Sequence, residues 1–288
     1  MEKHTRSYVQ LLKPGITFSN TISGIAGFFL AASVVPFQWA ALLGVVVGIA
    51  GVIASACVVN NVLDRTIDKR MKRTAKRDVA SGAIRVRYAL VYAALLGVVG
   101  FTALAALTNA LTVWLGVLAY VWYIVVYGIA KRTTAYSTVI GGVAGALPPV
   151  AGYTALTNQV DLAGVVLFLI LFFWQLPHFY AIAMFRRDDY AKAKLPVWSV
   201  RFGMQNTKVQ IFVSVLFYAF AASLLSFFGY TGIIYLVLSS ALSVYWIYTG
   251  IRLYRKVDDV KWARSMFGVS LVVLLAMCVL ISIGGYLA

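Results

Sequence analysis

The sequence predicts an all-α integral membrane protein with about nine transmembrane helices. The chain is 62% hydrophobic and only 12% charged, whereas about a quarter of the residues in a soluble domain are charged. A helix needs about 20 predominantly apolar residues to cross a bilayer. The first apolar stretch runs directly into the second, so we interpret it as a retained helix and not as a cleaved signal. The predicted spans are residues 16–35, 39–62, 88–107, 111–130, 137–156, 162–185, 209–228, 232–251 and 265–286.

The Lys and Arg residues predict the orientation of these helices. All 25 of them fall in the N-terminal segment with Lys3, Arg6 and Lys13, or in the loops after predicted helices 2, 4, 6 and 8. We call this side of the molecule the basic face. Because Lys and Arg are concentrated in cytoplasmic loops, we expect a multi-pass protein of the cell inner (plasma) membrane with its N-terminus in the cytoplasm and its C-terminus outside. Topology thus explains the net charge of +16, and no nucleic-acid partner is predicted.

The loops after predicted helices 2 and 6 are candidate functional segments, because each exceeds about 20 residues and long loops in compact structures are usually functional. Both helices run toward the basic face, and each is followed by two aspartates: Asp64 and Asp68 after helix 2, Asp188 and Asp189 after helix 6. This correspondence predicts one domain over residues 1–288 with a weak internal repeat that relates helices 1–4 to helices 5–8. Such repeats often place a ligand site between them.

The strongest motif is NNVLDRTIDKRMKRTAKR, at residues 60–77. Asn60, Asp64 and Asp68 are four residues apart, so on a helix each lies about 40° around and about 6 Å along from the previous one. One stripe therefore carries three oxygen ligands of the kind that Mg²⁺ prefers, and the Lys and Arg residues around it would bind phosphate oxygens. The alternative is an amphipathic loop in which both aspartates only pair with neighbouring Lys and Arg.

Predicted helix 6 and its loop carry the second polar group, in WQLPHFYAIAMFRRDDYAKAKLP at residues 174–196. Asp188 and Asp189 would bind a second metal or the far side of the same diphosphate, unless they only end the helix. His178 lies within the predicted span, where an ionisable residue indicates a functional site by default. A neutral histidine can instead hydrogen bond across a helix interface, and the same two interpretations apply to Asn20 and Gln175.

The third segment, residues 131–153, has a small-residue face formed by Gly141, Gly142 and Gly145. Small residues allow transmembrane helices to pack closely, and such a face could equally make room for a bulky flat or chain-like substrate. We expect Pro148 and Pro149 to bend or break this helix toward the side opposite the basic face.

These motifs resemble those of a known family. Asn60, Asp64 and Asp68, followed by KRT at residues 72–74, resemble the first aspartate motif of the UbiA superfamily of intramembrane prenyltransferases. The segments GGVAGALPPVAGY, WQLPHFYAIA and DYAKAKLP narrow the resemblance to members that farnesylate heme. The likeness runs from LLKPGITFSN at residues 11–20 to WARSMFGVS at residues 262–270. It implies nine membrane spans around a central cavity that opens sideways to lipid.

The resemblance also implies a reaction and its ligands. Farnesyl diphosphate and heme b, with water, would give heme O and diphosphate, with Mg²⁺ as the cofactor and the lipid bilayer as the surroundings. A heme A synthase or a terminal oxidase subunit would be the candidate protein partner that receives the product.

Five positions are metal ligands by this resemblance. Asn60, Asp64 and Asp68 would be the first ligands of Mg²⁺ and diphosphate. Asp189 matches the second aspartate motif, and Asp188, which stands where relatives often have Glu or Lys, is a further predicted ligand.

The substrate contacts are carried over in the same way. His178 matches a Pro-His pair in helix 6 and is the predicted heme contact, and it joins Asp64, Asp68 and Asp189 as a predicted catalytic residue. The residues predicted to lie near the diphosphate are Lys13, Asn20, Arg73, Arg77, Lys131, Arg187 and Tyr190.

Three other functions compete with this interpretation. A related prenyltransferase could act on an aromatic acid or quinone precursor, although the Pro-His and GALPPVAGY segments favour heme. A transporter or channel usually places ionisable groups at the bilayer midplane, whereas here they sit at helix ends and in loops. A non-catalytic assembly factor for a terminal oxidase would have no use for paired Asp motifs.

Overall fold

The protein is a bundle of long apolar helices. A computed structural model describes residues 8–287, so Lys3 and Arg6 of the predicted N-terminal basic group lie outside the described residues. Within that range 9 helices are long and apolar enough to cross a membrane, as predicted. In chain order they are α1 (Pro14–Ala32), α2 (Trp39–Leu63), α3 (Val86–Leu107), α4 (Ala110–Thr133), α5 (Ser137–Thr157), α6 (Leu162–Phe185), α7 (Trp198–Phe227), α8 (Ile233–Leu253) and α9 (Asp259–Gly284).

The starts of several helices follow from local sequence. Asn109, Asp161 and Asp258 precede α4, α6 and α9, and the side chain of each accepts a hydrogen bond from a backbone N–H in the first turn. Such caps satisfy amide groups that have no partner within the helix. α1 starts at Pro14, which has no N–H to satisfy, directly after Lys13, whose φ of 48° lies in the left-handed region. Lys13 is therefore fixed at the end of α1 that lies at the basic face.

Two helices start more than one turn earlier than predicted, and the prolines of α5 do not break it. α7 and α9 start at Trp198 and Asp259, not at residues 209 and 265, because hydrophobicity marks only the part of a helix that faces lipid. In α7 the backbone leaves the helical region at Gly203 (φ 83°, ψ 173°), which separates a first turn from the spanning part. α5 is continuous through Pro148 and Pro149, so these prolines do not break the helix, and a bend there stays a prediction. Proline is tolerated in transmembrane helices because neighbouring groups satisfy the freed carbonyls.

α1 and α5 cross at the centre of the bundle by backbone contact. A Cβ atom at Gly27 would collide with the carbonyl oxygen of Pro149, and one at Gly152 would collide with the carbonyl oxygen of Gly24. Small residues permit this approach in membranes, where helices associate by close packing. α5 is also the most buried span, with 67% of its membrane window covered by protein, whereas only 6% of the window of α4 is covered. α5 is therefore central, and α4 lies at the lipid-facing periphery.

The predicted small-residue face of α5 is filled by side chains. Gly141 lies against the ring of Tyr127 on α4, and Gly145 lies against the amide of Gln175 on α6. Gln175 also donates a hydrogen bond to the carbonyl oxygen of Gly142 (2.7 Å). These contacts favour the packing interpretation of this face over room for a substrate, and they make Gln175 an interhelical contact.

Corresponding helix pairs pack in the two halves. α1 packs on α2 as α5 packs on α6, and α2 packs on α3 as α6 packs on α7. The two aspartate pairs lie in corresponding loops, around the short helices Arg65–Asp68 and Arg187–Lys192. This recurrence agrees with an internal repeat, which stays a prediction.

Candidate active site

The Asp64 carboxylate joins the basic-face ends of α2 and α4. Its Oδ2 atom accepts hydrogen bonds from Asn60 Nδ2 (3.0 Å) and Lys131 Nζ (2.5 Å), and its Oδ1 atom accepts one from Arg132 Nη2 (3.2 Å). Lys131 Nζ also donates to Asn60 Oδ1 (2.8 Å). The structure thus brings together three predicted site residues, Asn60, Asp64 and Lys131, although Lys131 lies 67 residues beyond Asp64.

The buried carboxylate of Asp68 forms a second ion pair one turn further on. Arg77 Nη1 donates to both of its carboxylate oxygens, at 3.1 and 2.9 Å, and the Thr74 hydroxyl donates to its backbone carbonyl oxygen (2.9 Å). Backbone hydrogen bonds run from the Asp64 amide to Asn60 and from the Asp68 amide to Asp64. Backbone hydrogen bonds therefore connect Asn60, Asp64 and Asp68 one turn apart, across the junction at Asp64 between α2 and the short helix Arg65–Asp68. Their role as metal ligands stays a prediction.

The second aspartate pair lies on the short helix Arg187–Lys192, between α6 and α7. Asp188 is exposed and Asp189 is half-buried. No group of three or more His, Cys, Asp or Glu residues within 8–287 is placed to hold a metal ion together. The two aspartate pairs therefore do not form one carboxylate cage, and the metal roles of Asp188 and Asp189 stay predictions.

Tyr190 links the two loops electrostatically. Burial raises the pKa of its hydroxyl, and the positive charges of Arg73, Arg77 and Arg186 act in the opposite direction. Tyr190 thus lies within electrostatic range of the loop that carries Asp68. Nearby, Arg187 Nε donates to the carbonyl oxygen of Ser199 (3.1 Å), so part of this guanidinium holds the start of α7 in place.

Lys13 enters the same site from the start of α1. Burial lowers the pKa of its ammonium group, and the Asp64 and Asp68 carboxylates are close enough to act in the opposite direction. Asn61, which our sequence analysis did not select, holds this segment by donating to the carbonyl oxygen of Leu11 (3.0 Å). Its carbonyl oxygen, Oδ1, is buried and has no hydrogen-bond partner among residues 8–287. The sequence feature that could have identified Asn61 is its position directly after Asn60.

Asn20, on α1, uses its amide within its own helix. Its Nδ2 atom donates to the carbonyl oxygen of Ile16 (2.8 Å), and the residue is half-buried. Its predicted role near the diphosphate stays a prediction.

Two stacked tyrosines of α4 lie near the Asp64 carboxylate, and sequence reasoning missed both. The rings of Tyr123 and Tyr127 are stacked, with centroids 5.6 Å apart. Lys131 Nζ lies 5.4 Å from the Tyr127 ring centroid, and Tyr127 is within electrostatic range of both Asp64 and Tyr190. Since the chain contains 17 Tyr, nothing short of the packing could have selected these two.

His178 is held between α6 and α9, deeper in the membrane. Its ring stacks on Trp174 (centroids 5.1 Å apart) and contacts Phe267 (4.7 Å). Its Nδ1 atom lies 2.7 Å from the hydroxyl of Ser270, and that hydroxyl donates to the Phe267 carbonyl oxygen (2.6 Å). Because the Ser270 proton is already used, Nδ1 must be the donor, which leaves the lone pair on Nε2.

Comparison with known proteins assigns the chain to a family. The family model described as the UbiA prenyltransferase family matches residues 20–283. A relative from Pectobacterium atrosepticum, named protoheme IX farnesyltransferase, is 43% identical over 280 residues that cover 96% of this chain and 94% of the relative. A relative from Shewanella sp. (strain W3-18-1), named protoheme IX farnesyltransferase 1, is 42% identical over 95% of this chain and 87% of its own length.

Solved structures share the fold at low sequence identity. A structure described as digeranylgeranylglyceryl phosphate synthase superposes with a TM-score of 0.78 at 18% identity and covers 99% of both chains. A UbiA homolog from Archaeoglobus fulgidus, solved with DMAPP and Mg²⁺ bound, gives 0.67 at 17% identity over 96% of this chain and 99% of that one. With the family model spanning nearly the whole membrane domain, this chain belongs to the UbiA prenyltransferase family.

Proposed function

We propose that the protein transfers the farnesyl group of farnesyl diphosphate to a vinyl group of heme b, with addition of water, to give heme O and diphosphate. The observation that carries this proposal is the stripe of Asn60, Asp64 and Asp68 in contact with Lys131 and Arg77, beside an apolar and aromatic helix interior. The relatives named protoheme IX farnesyltransferase support the choice of substrates.

The residues of this stripe suit Mg²⁺. The ion is usually bound through one or two carboxylates, retains several waters and takes its remaining ligands from substrate phosphates. Asn60, Asp64 and Asp68 offer an amide oxygen and two carboxylates along one helical stripe, and the absence of a third close carboxylate among the described residues fits a site completed by substrate. Asp188 and Asp189 are candidate ligands on the far side of the diphosphate. When bound, Mg²⁺ would neutralise the developing charge of the leaving diphosphate.

The cations of the site would bind and stabilise that leaving group. Fixed positive charges aimed at a developing negative charge are among the largest contributions to catalysis. The proposed set comes from four separate segments at the basic face, and Asn20 and Tyr190 join it as polar neighbours. Its cationic members are Lys13, Arg73, Arg77, Lys131 and Arg187.

The bond changes follow from the substrates. The C1–O bond of farnesyl diphosphate breaks and both electrons leave with the diphosphate, which produces an allylic cation. The terminal carbon of the vinyl group attacks C1, and water adds to the resulting cation next to the porphyrin and loses a proton. Tyr123 and Tyr127 would stabilise the allylic cation with their ring faces, and the apolar surroundings would exclude water until the vinyl group has attacked.

His178 is the proposed heme contact. The hydrogen bond to Ser270 places a proton on Nδ1, so in the neutral ring Nε2 can accept a hydrogen bond or bind iron. We further propose that the basic face is cytoplasmic in the cell inner membrane, and that a heme A synthase or an oxidase subunit receives the product.

The direct test uses the full chain reconstituted in lipid with heme b, farnesyl diphosphate and Mg²⁺, and mass spectrometry of the porphyrin products. We expect heme O, and we expect none when Mg²⁺ is chelated. Farnesylation of an aromatic acid or quinone precursor in a parallel reaction, with no heme O formed, would overturn the proposal in favour of the related prenyltransferase. A transporter is disfavoured because the ion pairs within residues 8–287 all lie at the basic face.

A further inference from the structure

Cationic side chains contact the carboxylate oxygens that are the proposed metal ligands. Lys131 and Arg132 take the two oxygens of Asp64, and Arg77 takes both oxygens of Asp68. We propose that Lys131 and Arg77 are exchangeable counter-ions: they neutralise the aspartates in the free protein and move to the diphosphate when Mg²⁺ binds. Metal and diphosphate would then bind as a unit. This inference rests on the proposed function and adds how the site is loaded.

The burial of both aspartates and of Lys131 favours an exchange of partners over the loss of one, and the Arg77 side chain is less buried, at 31% exposed. The side chain of Asp68 is 3% exposed, and those of Asp64 and Lys131 are 14% and 11% exposed. An ion that is buried without a partner is strongly destabilising. Mg²⁺ alone would displace Lys131 from Asp64 and leave its ammonium uncompensated. Diphosphate alone would bring negative charge against both aspartates. Only the two ligands together leave every charge with a partner.

The geometry allows Lys131 to move without leaving the site. Its ammonium lies 5.4 Å from the centroid of the Tyr127 ring, which offers it a favourable surface during the exchange. Asn60 Oδ1 accepts a hydrogen bond from Lys131 Nζ in the structure, so the departure of Lys131 would also free this oxygen. One movement of Lys131 thus exposes an amide oxygen and a carboxylate oxygen. Arg132 has a more exposed side chain, at 42%, where solvent screens its charge.

The exchange predicts that metal and diphosphate each increase the affinity of the protein for the other. Coupling free energies between binding sites typically correspond to 5- to 150-fold changes in affinity and are reciprocal. We therefore expect metal to tighten diphosphate binding by about 5-fold or more in the wild-type protein. Removal of Lys131 should have opposite effects on the two ligands: the metal alone binds more tightly, and diphosphate in the presence of metal binds more weakly.

The test measures both ligands on the full chain in nanodiscs of zwitterionic lipid. Mn²⁺, the probe for the metal, is titrated without diphosphate and followed by its paramagnetic resonance signal. Labelled pyrophosphate is measured by equilibrium dialysis with and without Mn²⁺. The variants are Lys131→Met and Arg77→Gln, each checked for a wild-type elution profile, and the matched control is Arg255→Gln. Arg255 is an exposed cation at the far end of α8, so its loss changes net charge alone.

We expect Lys131→Met and Arg77→Gln to bind Mn²⁺ at least about 5-fold more tightly than wild type. Both variants should lose metal-dependent pyrophosphate binding. The control Arg255→Gln should match wild type in both measurements. Unchanged or weaker Mn²⁺ binding in a folded Lys131→Met or Arg77→Gln protein would overturn the exchange. The exchange would also be overturned if the wild-type protein bound pyrophosphate equally well with and without Mn²⁺, a measurement that needs no variant. Asp64→Asn separates the two proposals: if it binds Mn²⁺ as wild type does, the metal assignment itself fails.

Discussion

Two Lys–Asp pairs at the basic face show how the same two residue types can serve different ends. Lys131 and Asp64 join α4 to α2 and share their hydrogen bonds with Asn60 and Arg132. Lys208 on α7 pairs with Asp259 at the start of α9 (2.7 Å), and the ammonium of Lys208 is enclosed by the rings of Tyr254 (4.5 Å) and Trp262 (5.2 Å).

The difference lies in what surrounds each lysine. Lys208 is 2% exposed, and its aromatic neighbours stabilise a cation but offer no metal ligand, so we interpret this pair as a lock between α7 and α9. Around Lys131 the neighbours are oxygen atoms that could equally bind a metal. A Lys–Asp pair therefore indicates a ligand site only where other metal-binding oxygens converge on it.

The largest effect that would test this contrast is on catalysis. We expect Asp64→Asn and Asp68→Asn each to reduce heme O formation by at least about 100-fold, because charge stabilisation at the leaving group is lost, while the protein still folds. The matched control is the same substitution in the lock, Asp259→Asn, which should retain activity. Full activity in both site variants would refute the metal assignment.

The hydrogen-bonded pair His178 and Ser270 lies inside the membrane and can be compared with the two Lys–Asp pairs. We expect His178→Ala to raise the KM for heme about tenfold or more, as the loss of a contact worth about 1.4 kcal/mol would, with little change in the KM for farnesyl diphosphate. Ser270→Ala should act in the same direction and more weakly, since the imidazole remains but its proton is no longer fixed on Nδ1. Equal effects on both substrates would indicate that His178 only supports the packing of α6 on α9.

The Lys208–Asp259 lock should contribute to the stability of the folded protein. Lys208→Met removes a charged hydrogen bond and leaves Asp259 partly solvated, so we expect the free energy of unfolding to fall by about 2 kcal/mol. Reversible unfolding in detergent measures it, and heme O formation at a permissive temperature should persist. Lys192→Met, at an exposed position, is the control. A loss of activity without a loss of stability would assign Lys208 to the site instead of the lock.

The smallest effect is expected at the exposed pair Lys261–Asp258, whose side chains are 72% and 56% exposed. Asp258 caps α9, and its hydrogen bond from the Lys261 amide lowers the pKa of the carboxyl. A carboxyl whose pKa is lower in the folded state stabilises the protein above its unfolded pKa, and this contribution disappears as the pH falls through the folded value.

We therefore expect Asp258→Ala to melt slightly below wild type at neutral pH and to match it in acid, as followed by the thermal midpoint. Asp258→Asn, which keeps the cap, should remain near wild type at neutral pH. A deficit of Asp258→Ala that persists unchanged in acid would contradict the role of the charged carboxylate.

Sequence reasoning worked best where the signal was local. Asn60, Asp64 and Asp68 were found by their spacing, and helical hydrogen bonds do connect them. Asn61, Tyr123 and Ser270 were missed because their roles depend on partners on other helices, such as the Leu11 carbonyl or the His178 ring. The helix that was predicted to bend or break at Pro148 is not broken, because a local rule for proline does not include the helices that surround α5.

The sequence by itself determined the number of spans, the basic face and the four-residue spacing of the three predicted ligands, because hydrophobic length, charge position and a four-residue period are local properties. Only the tertiary structure decided which cation meets which carboxylate. Lys131 reaches Asp64 across 67 residues, and Lys208 meets Asp259 instead of a ligand site. These pairings follow from the packing of α2 beside α4 and of α7 near α9, which brings together side chains that no local pattern relates.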